Sequence, residues 1–389
     1  MDTTRTSRQT SEDDAPGGRA PGAVAPGDRA VGDGGVRDGG VRDGGVGTGE
    51  LRLGRIVRWL TRLAAGSMLV AALVCLVAVE SGGETNLLVV LLAALSGWVM
   101  PLILVAGALF ALTRWWRATA VAAVVALFAV AALFQLPDLI SSARAASTRG
   151  GLTPLKVMSL NIEIGGVDPG QLVARVRQER PDVLVLTELT PEAVARLHAA
   201  GLDDVLPHSF ARPGPNATGT GIWTQQPLTD QRAIPGTTYA ALIGTLAVNG
   251  RPVTIAGVHP NAPTDLGRWE SDYRILAQEL DPKTVGAFPA TGSWGEVVAG
   301  DFNSAVTNGP LARLLDTGLQ DGALRGPSPL ATWFGAGQTW PADYPFPPVI
   351  RIDHVLTDRG TGVQSFDTFR IADTDHLGVI ATIGLSLQG

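Results

Sequence analysis

The sequence predicts an α/β domain built on a large sheet and carried behind three membrane-crossing helices. Three observations lead there. The last 239 residues alternate strand-like and helix-like runs, three long charge-free stretches precede them, and the 389-residue chain is 45% hydrophobic and only 17% charged, with a mean hydropathy of +0.20. That average is too apolar for an ordinary soluble protein of this length. The composition divides the chain into a Gly-rich tail over 1–50, a membrane region over 51–137, a linker over 138–150 and a globular domain over 151–389. A net charge of −6 and a pI near 5.4 argue against a protein that holds nucleic acid by bulk electrostatics. The single Cys75 excludes a disulfide framework and a thiolate zinc cluster.

In chain order, the tail comes first. It contains 13 Gly and a five-residue repeat from Val31 to Gly45, without one leucine or aromatic residue. Such a segment buries too little apolar surface to offset its ordering entropy and is expected to be disordered and cytoplasmic. Next, 17 residues between Arg62 and Glu80, 29 between Glu84 and Arg114 and 20 between Arg117 and Asp138 carry no charge. Each suffices for one crossing of ~30 Å of hydrocarbon, and the middle run, with Gly97 and Pro101 inside, is one tilted or kinked helix. Arg52, Arg55, Arg58, Arg62, Arg114 and Arg117 flank one side of the spans, against Arg144 and Arg149 on the other. The basic side stays cytoplasmic, so the domain after the third span is expected outside. Pro137 ends that span, and Ser141 to Gly150 reads as a short stalk.

In the globular domain, Leu155–Leu160, Asp182–Thr187, Val253–Val258, Glu296–Ala299, Ile352–Thr357 and Val379–Leu385 read as strands. Gln171–Arg180 reads as a helix capped by Asp168, with Pro169 at its first position. Polar residues collect at the downstream strand ends, where open α/β sheets place their sites. Asn161 follows the first strand, Glu188 the second and His259 the third; Asp301 and Asn303 lie in Gly-Asp-Phe-Asn, Asp353 in Arg-Ile-Asp-His-Val-Leu, and Asp375-His376 in Thr-Asp-His-Leu. Singly, each has the ordinary reading of a turn or solvated residue. The ordered set does not.

These six blocks resemble the endonuclease/exonuclease/phosphatase superfamily, the DNase I-like fold, over essentially all of 151–389. The resemblance implies a four-layer α/β sandwich and hydrolysis of a phosphate ester or anhydride with a divalent metal, usually Mg²⁺ (or Mn²⁺). Three spans before the domain, and Gln-Thr-Trp-Pro-Ala-Asp before Arg-Ile-Asp-His-Val-Leu, are similar to the actinobacterial membrane members, including the VanJ-type proteins associated with teicoplanin resistance.

The residue types suit phosphoryl chemistry, which needs a cation with hard oxygen ligands. Glu188 is the expected primary ligand, with Asn161 and Asp375 near the ion directly or through water. Asp301 is expected to accept a proton from the attacking water or to orient it, and Asn303 to fix that water. The resemblance further implies that His376 bonds a phosphate oxygen while Asp353 holds its imidazole, and that His259 assists the leaving group or contacts phosphate. Strand alternation turns His354 to the opposite face, a structural position, and His198 and His208 lie outside every block. Thr187 replaces the Gln common before the metal Glu. Trp333 and Trp340 are read as core residues or as a substrate wall.

Two substrate readings and one silent reading follow. The first is an extracytoplasmic, membrane-anchored hydrolase of a lipid-linked phosphate such as undecaprenyl diphosphate, held near its substrate by the spans and stalk. The second is an extracytoplasmic nuclease, against which stands a domain with only two lysines, Lys156 and Lys283, a poor match for duplex DNA. The third is a catalytically silent receptor or scaffold, whose expected mark is loss of Glu188, Asp301, Asn303 or His376. All four are present.

Overall fold

The computed structural model describes residues 47–82, 84, 86–134, 152–281, 295–325, 337–359 and 361–385. Residues 1–46, the linker, Lys283 and Trp333 lie outside the described residues, and so do the expectations made for them. Two compact units are distinguished, Met1–Arg52 and Leu53–Gly389, and both sheets belong to the second.

Among the described residues, three helices are long and apolar enough to cross a membrane: Arg52–Glu80, Leu87–Leu112 and Trp116–Leu133. The first lies within α1 (Gly47–Glu80), whose start makes the last residues expected for the tail helical. The middle run is helical but broken. It comprises α2 (Leu87–Ala94), capped by the Asn86 side chain, a 3₁₀ turn at Leu95–Trp98 that contains Gly97, and α3 (Val99–Leu112). The third is α4 (Trp116–Phe134). Arg62 donates to the Thr113 carbonyl at 2.7 Å and lies over the Trp115 ring, so the basic ends of all three helices sit at one level.

The rest is an α/β fold of two mixed sheets. β1 (Thr153–Asn161), β2 (Val183–Thr187), β3 (His208–Arg212) and β4 (Thr220–Thr224) join β11 (Thr361–Phe369) and β12 (Gly378–Leu385) in the order β11-β12-β1-β2-β4-β3. β5 (Leu228–Ala233), β6 (Leu242–Val248), β7 (Arg251–Val258), β8 (Glu296–Asp301), β9 (Gln320–Asp321) and β10 (Asp353–Thr357) form the second, in the order β5-β6-β7-β8-β10-β9. Among the described residues, only β1–β2 and β7–β8 pair in parallel. Every β-strand expected from the sequence is present.

Alternation along the strands sorts the core into layers. Leu155, Val157, Val183, Val185, Val297, Ala299 and Val355 meet in the gap between the sheets. Their neighbours Met158, Leu160, Leu184 and Leu186 face outward onto α5 (Pro169–Glu179) and α6 (Pro191–Ala199). Ala256, Val258, Val298 and Leu356 face α7 (Leu266–Glu279) and α8 (Gly309–Asp316). The result is helix, sheet, sheet, helix. Asp168 caps α5 through Gly170 N at 2.7 Å and Gln171 N at 3.1 Å, with Pro169 at the first position; such a cap contributes about 1 kcal/mol.

The N-terminal part of the second apolar helical run is built into this domain. Val90 of α2 is buried in the same cluster as α7 and α8. Asn308 Nδ2 donates to the Val90 carbonyl at 3.0 Å, Thr307 Oγ1 to that of Ala93 at 2.7 Å, and Gly309 N to that of Gly82 at 2.8 Å. Arg313 pairs with Glu84 at 2.7 Å. α2 therefore docks the domain to the membrane region through satisfied backbone groups rather than by a loose tether.

Candidate active site

The inward-facing residues of the strands turn polar at one end of the gap between the sheets. On β1 the inward series Leu155, Val157 and Ser159 ends at Asn161; on β8, Val297 and Ala299 lead to Asp301; on the antiparallel β10, Val355 leads back to Asp353, which pairs in register with Asp301. The same period that fills the core thus delivers three polar side chains to one place. Asn161 Nδ2 bridges the sheets, donating to Asp301 Oδ2 at 2.9 Å and to Glu188 Oε1 at 3.0 Å. Its Oδ1 accepts from Glu163 N at 2.9 Å.

Left-handed backbone clusters here. Glu188, immediately after β2, has φ +56°, Glu163 +44°, Ile164 +54° and Asn303 +49°. Each costs of order 1–3 kcal/mol and persists only where neighbours over-determine it, which is common at functional sites. The turn after β1 aims the Ile164 N–H at Glu188 Oε2, at 2.8 Å, and the turn after β8 aims the Asn303 N–H at Asp301 Oδ1, at 2.8 Å. Asn303 Nδ2 donates to the Pro260 carbonyl at 3.1 Å. Gly300 of Gly-Asp-Phe-Asn is required sterically, because a Cβ there would stand 1.9 Å from the Val258 carbonyl oxygen. α7 braces the same turn, with Tyr273 donating to the Phe302 carbonyl at 2.7 Å and Trp269 to Ser304 Oγ at 2.9 Å.

His376 lies between carboxylates. Its Nδ1 is 2.8 Å from Asp353 Oδ2, and its Nε2 is 3.7 Å from Asp301 Oδ2 and 3.6 Å from Asp375 Oδ1. Burial opposes its charged form, but the charges of Asp353 and Asp301 outweigh that and push its pKa up to about 10. Burial likewise raises Asp301, yet the His376 charge, the hydrogen bond and charge of His259, and the Asn161 amide together hold it well below the ordinary carboxylate range. Asp353, wholly buried, is raised by burial despite the opposing His376. His259 follows β7 on the inward side, with Nε2 3.5 Å from Asp301 Oδ2.

Beyond this buried group lies an acidic rim. Asp375 donates its N–H to Glu163 Oε2 at 2.9 Å, and its Oδ2 accepts from Trp340 Nε1 at 2.9 Å. Glu163 is raised by burial and by the charges of Asp375, Asp343 and Glu188. All eight residues expected from the sequence, Asn161, Glu188, His259, Asp301, Asn303, Asp353, Asp375 and His376, therefore converge. Two further residues join them that sequence reasoning missed. Glu163 could have been found two positions beyond Asn161, on the turn after the strand. Tyr239, whose ring centre is 4.8 Å from that of His259, carries no sequence signal of its own.

The remaining histidines are elsewhere. His354 is buried on the outward face of β10, bonded through Nδ1 to Asp321 and through Nε2 to the Ser304 carbonyl at 2.9 Å, and Arg351 completes that pair at 3.2 Å from Asp321. His198 pairs with Asp203 on the surface, and His208 begins the edge strand β3. Trp340 pairs with Ile350, packs on the cluster of Ala94, Ala305, Ile350 and Ile352, and closes one side of the rim. Thr187, wholly buried, has no hydrogen-bond partner for its hydroxyl among the described residues.

The two-sheet fold and this site define a class, and the sequence matches it: the Endonuclease/Exonuclease/phosphatase family matches residues 158–376. The chain belongs to that family, whose members are phosphoester hydrolases and generally use divalent metals. Among solved structures, it is similar to an endonuclease/exonuclease/phosphatase from Beutenbergia cavernae DSM 12333, at 22% identity over 60% of this chain and 72% of that one, with a TM-score of 0.49. The human Nocturnin catalytic domain with bound sulfate is 18% identical over 60% and 94%, with a TM-score of 0.47. Mannosyl-6-phosphatase Bt3783 of Bacteroides thetaiotaomicron VPI-5482 is 13% identical over 59% and 99%, at 0.46. No curated protein matches the sequence.

Proposed function

We propose that the chain is a Mg²⁺- or Mn²⁺-dependent hydrolase of phosphate esters or anhydrides, anchored by three spans with its site outside the cytoplasmic membrane, and that it acts on a lipid-linked phosphate such as undecaprenyl diphosphate. The observation that carries this reading is the docking of α2. The domain holds Gly82, Glu84, Val90 and Ala93, at the end of the spans opposite the Arg62–Thr113–Trp115 level. Basic ends remain cytoplasmic, which supports an external domain.

Two groups of side chains compete for the cation. Asp301, Asp353 and His376 offer atoms all within 4.8 Å of one another. A histidine kept as imidazolium, however, has no lone pair to give. The rim of Glu188, Glu163 and Asp375 is the better fit, since its oxygens are hard ligands and their mutual repulsion, which adds to burial in raising Glu163, is what a cation relieves. Glu188 is the principal ligand, Asp375 stands beside it and Asn161 holds Glu188 in place. A bound cation neutralises charge on the phosphate.

The other residues act on the phosphate and the water. Asp301, held well below the ordinary carboxylate range by the His376 and His259 charges and the Asn161 amide, orients the attacking water or accepts its proton. Asn303 fixes that water, and the His376 imidazolium, aligned by Asp353, stabilises a phosphate oxygen as charge develops. His259 contacts phosphate or serves the leaving group.

The reading is tested by phosphate release from the full chain in vesicles, with Mg²⁺ and with excess chelator, on undecaprenyl diphosphate, a soluble phosphomonoester and single-stranded DNA. Chelator-sensitive release that favours the lipid substrate is expected. Cleavage of DNA with the lipid untouched would replace this reading with the nuclease one.

A further inference from the structure

We propose that the loop Pro341–Pro348 is a membrane-inserting rim of the active site, seated in the outer leaflet at the boundary between headgroups and acyl chains. This rests on the membrane-anchored reading above and adds to it a contact surface for the bilayer.

Helix lengths locate the boundary. Arg62 to Glu80 of α1 advances about 27 Å, Leu95 to Leu112 about 28 Å, and Trp116 to Phe134 about 27 Å. Each matches ~30 Å of hydrocarbon when counted from the basic level. α2 is then surplus length outside the lipid, as its docking on the domain requires, and the outer boundary falls near Leu95–Trp98. The base of the loop is fixed at that point. Val349 N donates to the Trp340 carbonyl at 3.0 Å, Trp340, Val349 and Leu95 pack on one buried cluster of Ala94, Ala305, Ile350 and Ile352, and Trp98 Nε1 donates to the Val349 carbonyl at 2.9 Å.

What the loop presents suits that depth. Tyr344 and Phe346 are 55% and 46% exposed and stack on each other with ring centres 5.2 Å apart. Aromatic rings exposed at a bilayer boundary are favoured, as Trp98 is at this one and Trp115 and Trp116 are at the other. Four of the eight loop residues are proline, so half its backbone has no N–H to strip of water on insertion. The other flank of the loop is the catalytic rim: Ala342 N donates to the Asp375 carbonyl at 2.7 Å, and Asp343 acts electrostatically on Glu163. A lipid phosphate at the boundary would therefore meet the acidic rim without leaving its leaflet.

Cys75 is buried and is the chain's one cysteine, so Phe346→Cys in the full chain gives a single reactive thiol. Labelled with an environment-sensitive fluorophore and reconstituted into phosphatidylcholine/phosphatidylglycerol vesicles, it should be quenched by lipid carrying a spin label high on the acyl chain, while the same label at exposed Asp367 should not. Equal, weak quenching at both positions would overturn the proposal. In parallel, Tyr344→Ser/Phe346→Ser should raise KM for a lipid-borne phosphate about ten-fold and leave that for a soluble phosphomonoester unchanged; unchanged KM for both would break the link between insertion and the site. If no lipid phosphate is hydrolysed, the quenching still decides the insertion, and only the substrate reading falls.

Discussion

Asp301→Asn should lower kcat by about 10²–10⁴-fold, the range for a group that positions or accepts the transferring proton, while the domain stays folded. The substitution keeps one acceptor, which can receive the Asn303 N–H that Oδ1 now takes at 2.8 Å; the bond from Asn161 Nδ2 to Oδ2, now 2.9 Å, is lost, while Asn161 Nδ2 keeps its bond to Glu188 at 3.0 Å. It removes the charge that orients water and one of the two leading carboxylates that hold His376 as imidazolium. The loss is therefore double, in the water and in the phosphate contact, and it should not be reproduced in the native protein by mild acid, because Asp301 remains ionised well below the usual range. Turnover of a soluble phosphomonoester, with circular dichroism to confirm the fold, measures it. A folded variant within ten-fold of native turnover would remove Asp301 from the chemistry.

Glu188→Gln should weaken divalent-cation binding at least about 100-fold, since loss of even an outer partner of a metal site costs about 10–100-fold. The neutral amide can still accept the Ile164 N–H, so the turn after β1 is preserved, but the charge that draws the cation is gone. Activity at low Mg²⁺ should collapse and partly return at high Mg²⁺. Isothermal titration with Mn²⁺ reads the affinity directly. Unchanged affinity would transfer the cation to the Asp301–Asp353–His376 group.

The site was legible in the sequence because its residues are strand ends. Asn161, Asp301 and Asp353 continue an inward period of two that the apolar residues before them announce, and the converging positions need no knowledge of side-chain paths. Tyr239 was not legible, and Glu163 was marked only by its place two positions beyond Asn161, for the opposite reason. Each reaches the site from an irregular segment, and only the left-handed turn at Glu163–Ile164 and the approach of Tyr239 to His259 bring them in. The strands β3, β4, β5, β6, β9 and β11 were not expected; in β5 and β11 the solvent-facing positions carry Thr, Asp, Gln and Ser, which blur the alternation. The middle hydrophobic run held a further ambiguity. Length and composition read it as one span, yet the small residues Ala93 and Ala94, and Ser96 and Gly97 of the 3₁₀ turn, let its N-terminal third pack on Thr307, Asn308 and Ile350. Hydropathy cannot separate a face buried in protein from one buried in a bilayer.

The central claim is that the docked catalytic domain stands outside the cytoplasmic membrane, and Asp367, exposed on β11 far along the chain from the spans, reports on it. Asp367→Cys in the full chain, expressed in intact cells, should react with a membrane-impermeant maleimide before any permeabilisation. Labelling only after the membrane is opened would contradict the external site, and with it the lipid-facing account of the active site.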